Sequence, residues 1–148
     1  MSKPLSGHVA VLAGATRGAG RGIARMLGEA GATVYCTGRS SRARPNVSDH
    51  DKAGRPETIE ETAEMVTAAG GTGISVRVDH TAEDEVVALF ERVGREQDRL
   101  DVLALVMTGQ PASWKTFLDE TPAAGRAFVE GWVWPHVVTA WHAAKLMV

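Results

Sequence analysis

Short apolar runs alternate along this chain with longer segments whose apolar residues recur at helical spacing. The runs cover residues 8–13, 33–37, 73–78 and 100–106, and turn-forming or polar residues bound most of them. The segments between them place apolar residues three and four positions apart, as in the set Val86, Leu89, Phe90 and Val93. An alternation of strands and helices predicts a parallel sheet with helices packed on its faces.

Local signals predict where the later elements begin and end. Pro56 suits the first turn of the second helix, because proline tolerates that position without losing a hydrogen bond. Thr81 followed by Asp84 predicts a capping box for the third helix. Pro135 lies inside the last helical segment, residues 122–148, and should kink or divide it. Residues 39–55 are polar and predict a long surface loop.

A glycine-rich turn, residues 14–20 with the sequence GATRGAG, joins the first strand to the first helix. Gly14 allows a sharp turn with a positive φ angle, and Gly18 lets a phosphate approach the backbone without a Cβ in the way. Gly20 allows the helix to pack closely on the strand. The helix N-terminus then offers amide groups to an anion. The alternative is a tight turn that binds no ligand.

The spacing Gly-x-x-x-Gly-x-Gly between a strand and a helix resembles the short-chain dehydrogenase/reductase (SDR) family, although Ala13 stands where the family usually has threonine. The Thr-Gly-Arg run that ends the second strand and residues 54–62 strengthen this resemblance. It implies a Rossmann-like, doubly wound α/β sheet of about four strands in the order 3-2-1-4. It also implies oxidation or reduction of a small carbonyl/alcohol pair by hydride transfer to or from a nicotinamide dinucleotide.

Basic residues near the predicted cofactor pocket favour NADP over NAD. Arg39 follows the second strand, where an acidic residue would bind the ribose of NAD, and Arg17 lies in the glycine turn. Solvated surface arginines are the alternative. In the family an aspartate after the third strand binds the adenine amino group; Asp79 holds that place here, with an Asx turn before Thr81 as the alternative. The predicted cofactor-binding residues are Gly14, Thr16, Arg17, Gly18, Ala19, Gly20, Arg39, Asp79 and His80, the last as a pocket-wall or surface residue.

The catalytic half of the family pattern is absent from these 148 residues. The family's Tyr-x-x-x-Lys does not occur, because Tyr35 is the only tyrosine and is followed four positions later by Arg39. Val106 and Met107 replace two asparagines that the family usually carries after the fourth strand. We therefore expect no catalytic residue here and a single, incomplete domain, since a whole family domain has about 250 residues. The alternative function is a non-catalytic nucleotide-binding module or a truncated pseudo-enzyme.

Composition and charge limit the classes of partner that the sequence favours. With a net charge of −2, the sequence lacks the excess of basic residues that is typical of proteins that bind nucleic acid. No apolar run is long enough to span a membrane. A single cysteine fits a cytoplasmic protein. His136 and His142 lie on different faces of the last helix, so we expect no metal site. The apolar fourth strand and the tryptophans of the last helix predict self-association, by analogy with a helix that commonly packs between subunits in the family.

Overall fold

A computed structural model describes residues 2–45, 55–107 and 115–148 of the chain. Strands and helices alternate in the first two ranges: β1 (Val9–Ala13), α1 (Gly18–Glu29), β2 (Thr33–Gly38), α2 (Ile59–Ala68), β3 (Thr72–Arg77), α3 (Glu83–Gln97) and β4 (Val102–Leu105). A short 3-10 turn (Phe117–Asp119), α4 (Pro122–Trp132) and α5 (Trp134–Met147) complete the described elements. The four strands of the described residues form one parallel sheet in the order β3-β2-β1-β4. This confirms the predicted doubly wound topology.

The direction of strand order reverses at β1, which pairs with β2 on one side and β4 on the other. Ala13, the last residue of β1, is in register with Thr37 and with Leu105. The carboxyl ends of the three strands therefore meet at one edge of the sheet. Ligands of open α/β sheets bind in the crevice that such a reversal creates.

Side chains of β1 alternate between two apolar cores because successive residues of a strand face opposite sides of the sheet. Val11 packs with Tyr35 and with α3 and α5 residues such as Leu89 and Val138. Leu12 packs on the other face, with small and branched residues of α1, β2 and α2. All five residues of β1 are buried, as expected for a central strand covered on both faces.

Two predicted helix starts were wrong. The first turn of α2 begins at Ile59, with Thr58 as its cap, so Pro56 lies outside the helix. Thr58 and Glu61 form the reciprocal capping box that decides this start. The cap of α3 is Ala82, without a side-chain hydrogen bond, because the Thr81 hydroxyl donates to Asp79 instead of capping the helix.

The last helical segment is divided, as predicted. α4 ends at Trp132 and α5 begins at Trp134, with Val133 between them and Pro135 at the start of α5. The predicted surface loop after β2 is in part buried: Ser40 and Ser41 are each 3% exposed. The Ser40 carbonyl accepts the Ile59 amide at 3.1 Å, which ties the start of α2 to the end of β2. Residues 46–54 of that loop lie outside the described residues.

Candidate functional site

A cavity of about 410 Å³ lies at the carboxyl edge of the sheet, where the strand order reverses. The segments that follow all four strands contribute to its wall, and α4 and α5 contribute one residue each, Gly131 and Pro135. Eight of the nine predicted cofactor-binding residues line it, namely Gly14, Thr16, Arg17, Gly18, Ala19, Arg39, Asp79 and His80. Gly20, the ninth, is buried beneath the turn.

Each glycine of the turn is required for a different reason. Gly14 has a φ of +89°, and a Cβ built there would lie 2.3 Å from the Val106 carbonyl oxygen. A Cβ on Gly20 would lie 1.9 Å from the Gly14 oxygen. Gly18 has a φ of +52° and nothing within 4 Å of such a Cβ, so its exposed backbone borders open space. The turn thus packs tightly on its protein side and leaves room on its cavity side.

The N-terminus of α1 faces this space. Its cap is Arg17, whose side chain makes no capping hydrogen bond. Backbone amides at such a position, with the positive end of the helix dipole, favour a negatively charged group. An open glycine backbone beside this helix start leaves room for an anionic group.

Three arginines and two carboxylates lie at or beside the cavity wall. Arg17 Nε is 3.6 Å from the Glu57 carboxylate, and Arg39 lies close enough to Asp79 to stabilise its negative charge. Arg55 also lines the cavity. The sequence analysis did not include Arg55 in the site, because it lies 16 positions after Arg39, at the end of the polar segment that predicts a surface loop.

Asp79 makes the Asx turn that the sequence analysis gave as the alternative to adenine binding, and it also lines the cavity. Its Oδ1 accepts the Thr81 amide at 3.0 Å and the Thr81 hydroxyl at 2.7 Å. Burial opposes its charged form, but these hydrogen bonds, together with the charges of Arg39 and Arg77, outweigh burial and lower the pKa of Asp79. The carboxylate is therefore an ionised acceptor at the cavity wall.

His80 is more than a wall residue. It is 7% exposed and lies between two threonines, with Nε2 2.8 Å from Thr37 Oγ1 and Nδ1 3.0 Å from Thr139 Oγ1. Burial lowers the pKa of His80 to about 4, and the charge of Asp79 opposes that change while His136 adds to it. His80 thus connects β2 to α5 directly beside the cavity. Thr139 is 59 residues from His80, and no local sequence signal indicates the contact.

Tyr35 is directed away from the cavity, toward α3. Its side chain is buried, its hydroxyl donates to Glu96 at 2.7 Å, and Gln97 donates to it at 3.2 Å. Burial and the neighbouring Glu96 carboxylate raise the pKa of Tyr35 to about 12. Since a catalytic acid or base needs to reach the reacting group, Tyr35 serves the core and not the site.

A sequence profile described as short chain dehydrogenase matches residues 8–148. The chain belongs to the short chain dehydrogenase family. It is 39% identical over 126 residues to human dehydrogenase/reductase SDR family member 1, covering 78% of this chain and 36% of that protein. The chain spans about a third of the length of this and other curated short-chain relatives.

Solved short-chain dehydrogenase structures share the fold. A short-chain type dehydrogenase/reductase from Mycobacterium marinum superposes with a TM-score of 0.76 at 25% identity, covering 98% of this chain and 52% of that one. NADH-dependent reductase A1-R′, complexed with NAD, superposes with a TM-score of 0.76 at 21% identity, covering 99% of this chain and 54% of that one. Among the described residues of this family member, no helix has the length and apolar character needed to cross a bilayer.

Proposed function

We propose that this chain is the NADP(H)-binding part of a short-chain dehydrogenase/reductase that interconverts a small carbonyl compound and its alcohol. The observation that carries the proposal is the glycine turn, which borders a cavity where the sheet reverses its strand order. Membership of the family supports a nicotinamide dinucleotide as the ligand, and the NAD-bound neighbour has the same fold.

The residues of the cavity fit the adenosine half of such a cofactor. The backbone at Gly18 and the start of α1 would hold the diphosphate, while Asp79 would accept a hydrogen bond from the adenine amino group. Arg17 and Arg39, with Arg55, would bind a ribose 2′-phosphate, since guanidinium groups pair with phosphate in two-pronged geometry. A bound nicotinamide would supply or accept the hydride. No acidic side chain directly follows β2 to prefer the unphosphorylated ribose of NAD.

A second candidate, a nucleotide-binding module without chemistry of its own, is favoured by one observation. The only tyrosine of the sequence, Tyr35, is buried against α3 and has a pKa raised to about 12. No tyrosine of these 148 residues therefore provides a proton donor at the cavity. Under both candidates the 148 residues bind the cofactor, and they differ only in whether reduction follows.

Cofactor binding and turnover are tested separately. Fluorescence titration of the chain with NADPH and with NADH should show binding of both and a preference for NADPH. Equal affinities would contradict the NADP assignment, and the absence of any binding would contradict both candidates. Turnover of NADPH with a panel of aldehydes and ketones should be undetectable in the isolated 148-residue chain, because a positioned acid or base alone contributes about 10²–10⁴-fold. Rapid turnover would exclude the non-catalytic candidate.

A further inference from the structure

Glu57 lies directly behind the arginine of the glycine turn. Its carboxylate oxygen Oε2 is 3.6 Å from Arg17 Nε, and the two side chains are only 29% and 15% exposed. This oxygen is inaccessible to water and accepts no hydrogen bond within the described residues. A carboxylate held in this way remains a strong counter-charge, because little solvent separates it from the guanidinium.

The position of Glu57 is set by the start of α2. The Thr58 side chain caps that helix, and the next residue, Ile59, donates its amide to Ser40 at the end of β2. Thr58 is 4% exposed and Ile59 is 1% exposed, so the two residues that follow Glu57 are anchored in the core. Glu57 is consequently attached to a rigid part of the fold and not to a freely moving chain.

We propose that Glu57 is a positioning residue that limits the preference of the site for a 2′-phosphorylated adenosine ribose. The inference rests on the proposed cofactor function and concerns the Arg17 that would contact this phosphate. The Glu57 carboxylate offsets part of the positive potential of Arg17 and so weakens the attraction of Arg17 for a phosphate dianion. A ribose hydroxyl carries no charge, so Glu57 acts on it weakly. The residue therefore narrows the difference in affinity between the two nicotinamide cofactors.

The arrangement of charges around the cavity directs the effect of Glu57 mainly to Arg17 and not to Arg39. Arg39 has its own nearby carboxylate in Asp79, which is ionised and makes an Asx turn. Glu57 is the carboxylate that serves Arg17 in the same way. Removing the charge of Glu57 leaves the pair of Arg39 and Asp79 intact, and its electrostatic effect is strongest at Arg17, the guanidinium that lies 3.6 Å away.

Calorimetric titration of the full chain with 2′,5′-ADP and with 5′-AMP isolates the 2′-phosphate from the nicotinamide. Glu57→Gln should strengthen binding of 2′,5′-ADP about fivefold and change binding of 5′-AMP less than about twofold. Glu57→Asp retains the charge and should stay near the wild-type ratio. The matched control is Glu64→Gln, which removes the same charge from the α2 region but beside Arg42, away from the turn.

A double-mutant comparison tests whether Glu57 changes the affinity for 2′,5′-ADP through Arg17. In an Arg17→Gln background, Glu57→Gln should gain less than about twofold, because the guanidinium through which it acts is gone. In the Arg17-containing protein the gain should shrink when salt is raised, as screening predicts. Thermal unfolding of each variant checks that the fold is retained.

The outcomes separate this inference from the function on which it rests. If wild-type protein binds 2′,5′-ADP no better than 5′-AMP, the proposed NADP function fails and this inference fails with it. If wild-type protein prefers 2′,5′-ADP but Glu57→Gln leaves that affinity unchanged or weakens it, only the inference about Glu57 is overturned. If Glu64→Gln strengthens binding of 2′,5′-ADP as much as Glu57→Gln does, the inference about Glu57 is overturned as well.

Discussion

His80 Nε2 donates a hydrogen bond to Thr37 Oγ1 over 2.8 Å. The direction follows from Thr37, whose hydroxyl proton is already directed to the Leu12 carbonyl at 3.1 Å. The neutral imidazole then accepts at Nδ1 from Thr139, 3.0 Å away. Both ring nitrogens are used, and protonation of Nδ1 would remove the acceptor that Thr139 needs.

Acidification should therefore destabilise the fold before most carboxylates titrate. The pKa of His80 is about 4 in the folded chain and about 6.5 when unfolded. The unfolded state binds the extra proton first, so this contribution is present above about pH 6.5 and is lost as the pH falls toward 4. The free energy of unfolding should drop by about 2 kcal/mol between pH 7 and pH 5, as measured by urea denaturation.

Two histidine variants test the assignment of that pH dependence. His80→Gln should unfold more easily at pH 7, since it disturbs a buried network, and its stability should be nearly constant between pH 7 and pH 5. His142→Gln removes a histidine that contacts Glu83 and leaves the network intact, so its stability should fall more between pH 7 and pH 5 than that of His80→Gln. An equal loss of pH dependence in both variants would disprove the role of His80.

Alanine substitutions should distinguish the glycine that the fold requires from the glycine that cofactor binding requires. Gly14→Ala should cost about 3 kcal/mol of stability, because its Cβ would collide with the Val106 carbonyl at a positive φ. Gly18→Ala should cost about 1 kcal/mol for its left-handed backbone, yet abolish NADPH binding by filling the space beside the turn. Gly22→Ala, inside α1 with open space around it, is the control and should be neutral or stabilising. Urea denaturation and NADPH titration measure both effects, and unaltered binding in Gly18→Ala would refute the phosphate site.

Charge reversal at Arg39 should reverse the cofactor preference. Arg39→Asp places a second carboxylate near Asp79 and should weaken NADPH binding about 10- to 100-fold while NADH loses little. Arg44→Asp makes the same charge change at an exposed residue outside the cavity and should leave both affinities near wild type. Parallel titrations with the two cofactors measure the ratio. A ratio unaffected by Arg39→Asp is incompatible with the assignment of Arg39.

Self-association remains a prediction, and the structure indicates which surface to test. Large apolar side chains of α4, of α5 and of the residue between them are exposed, including Val129, Val133, Val137 and Trp141, which is 58% exposed. Exposed apolar side chains at this spacing along the segment favour contact with other protein. Sedimentation at micromolar concentration should show oligomers that Trp141→Glu weakens. Met26→Glu, at a 56% exposed position on α1, should not weaken them. A wild-type monomer throughout would contradict the prediction.

The glycine turn and the order of the elements could be predicted because their causes are local. Positive φ angles, an apolar strand and an amphipathic helix leave their signature within a few neighbouring residues, as at Gly14 and Gly18. The exact residues at which the helices begin are harder to predict from the sequence. The sequence predicts a capping box at Thr81, but the Thr81 hydroxyl donates to Asp79, because an Asx turn and a helix cap compete for the same group.

By itself the sequence determined the doubly wound sheet and eight residues of its cavity wall, since strand periodicity and turn chemistry already specify which chain ends meet. Only the tertiary structure decided that Glu57 pairs with Arg17, that Arg55 joins the basic residues, and that His80 bridges to α5. These contacts join residues distant in sequence. Their energies depend on burial and on distances of a few ångström, which exist only once the helices have packed against the sheet.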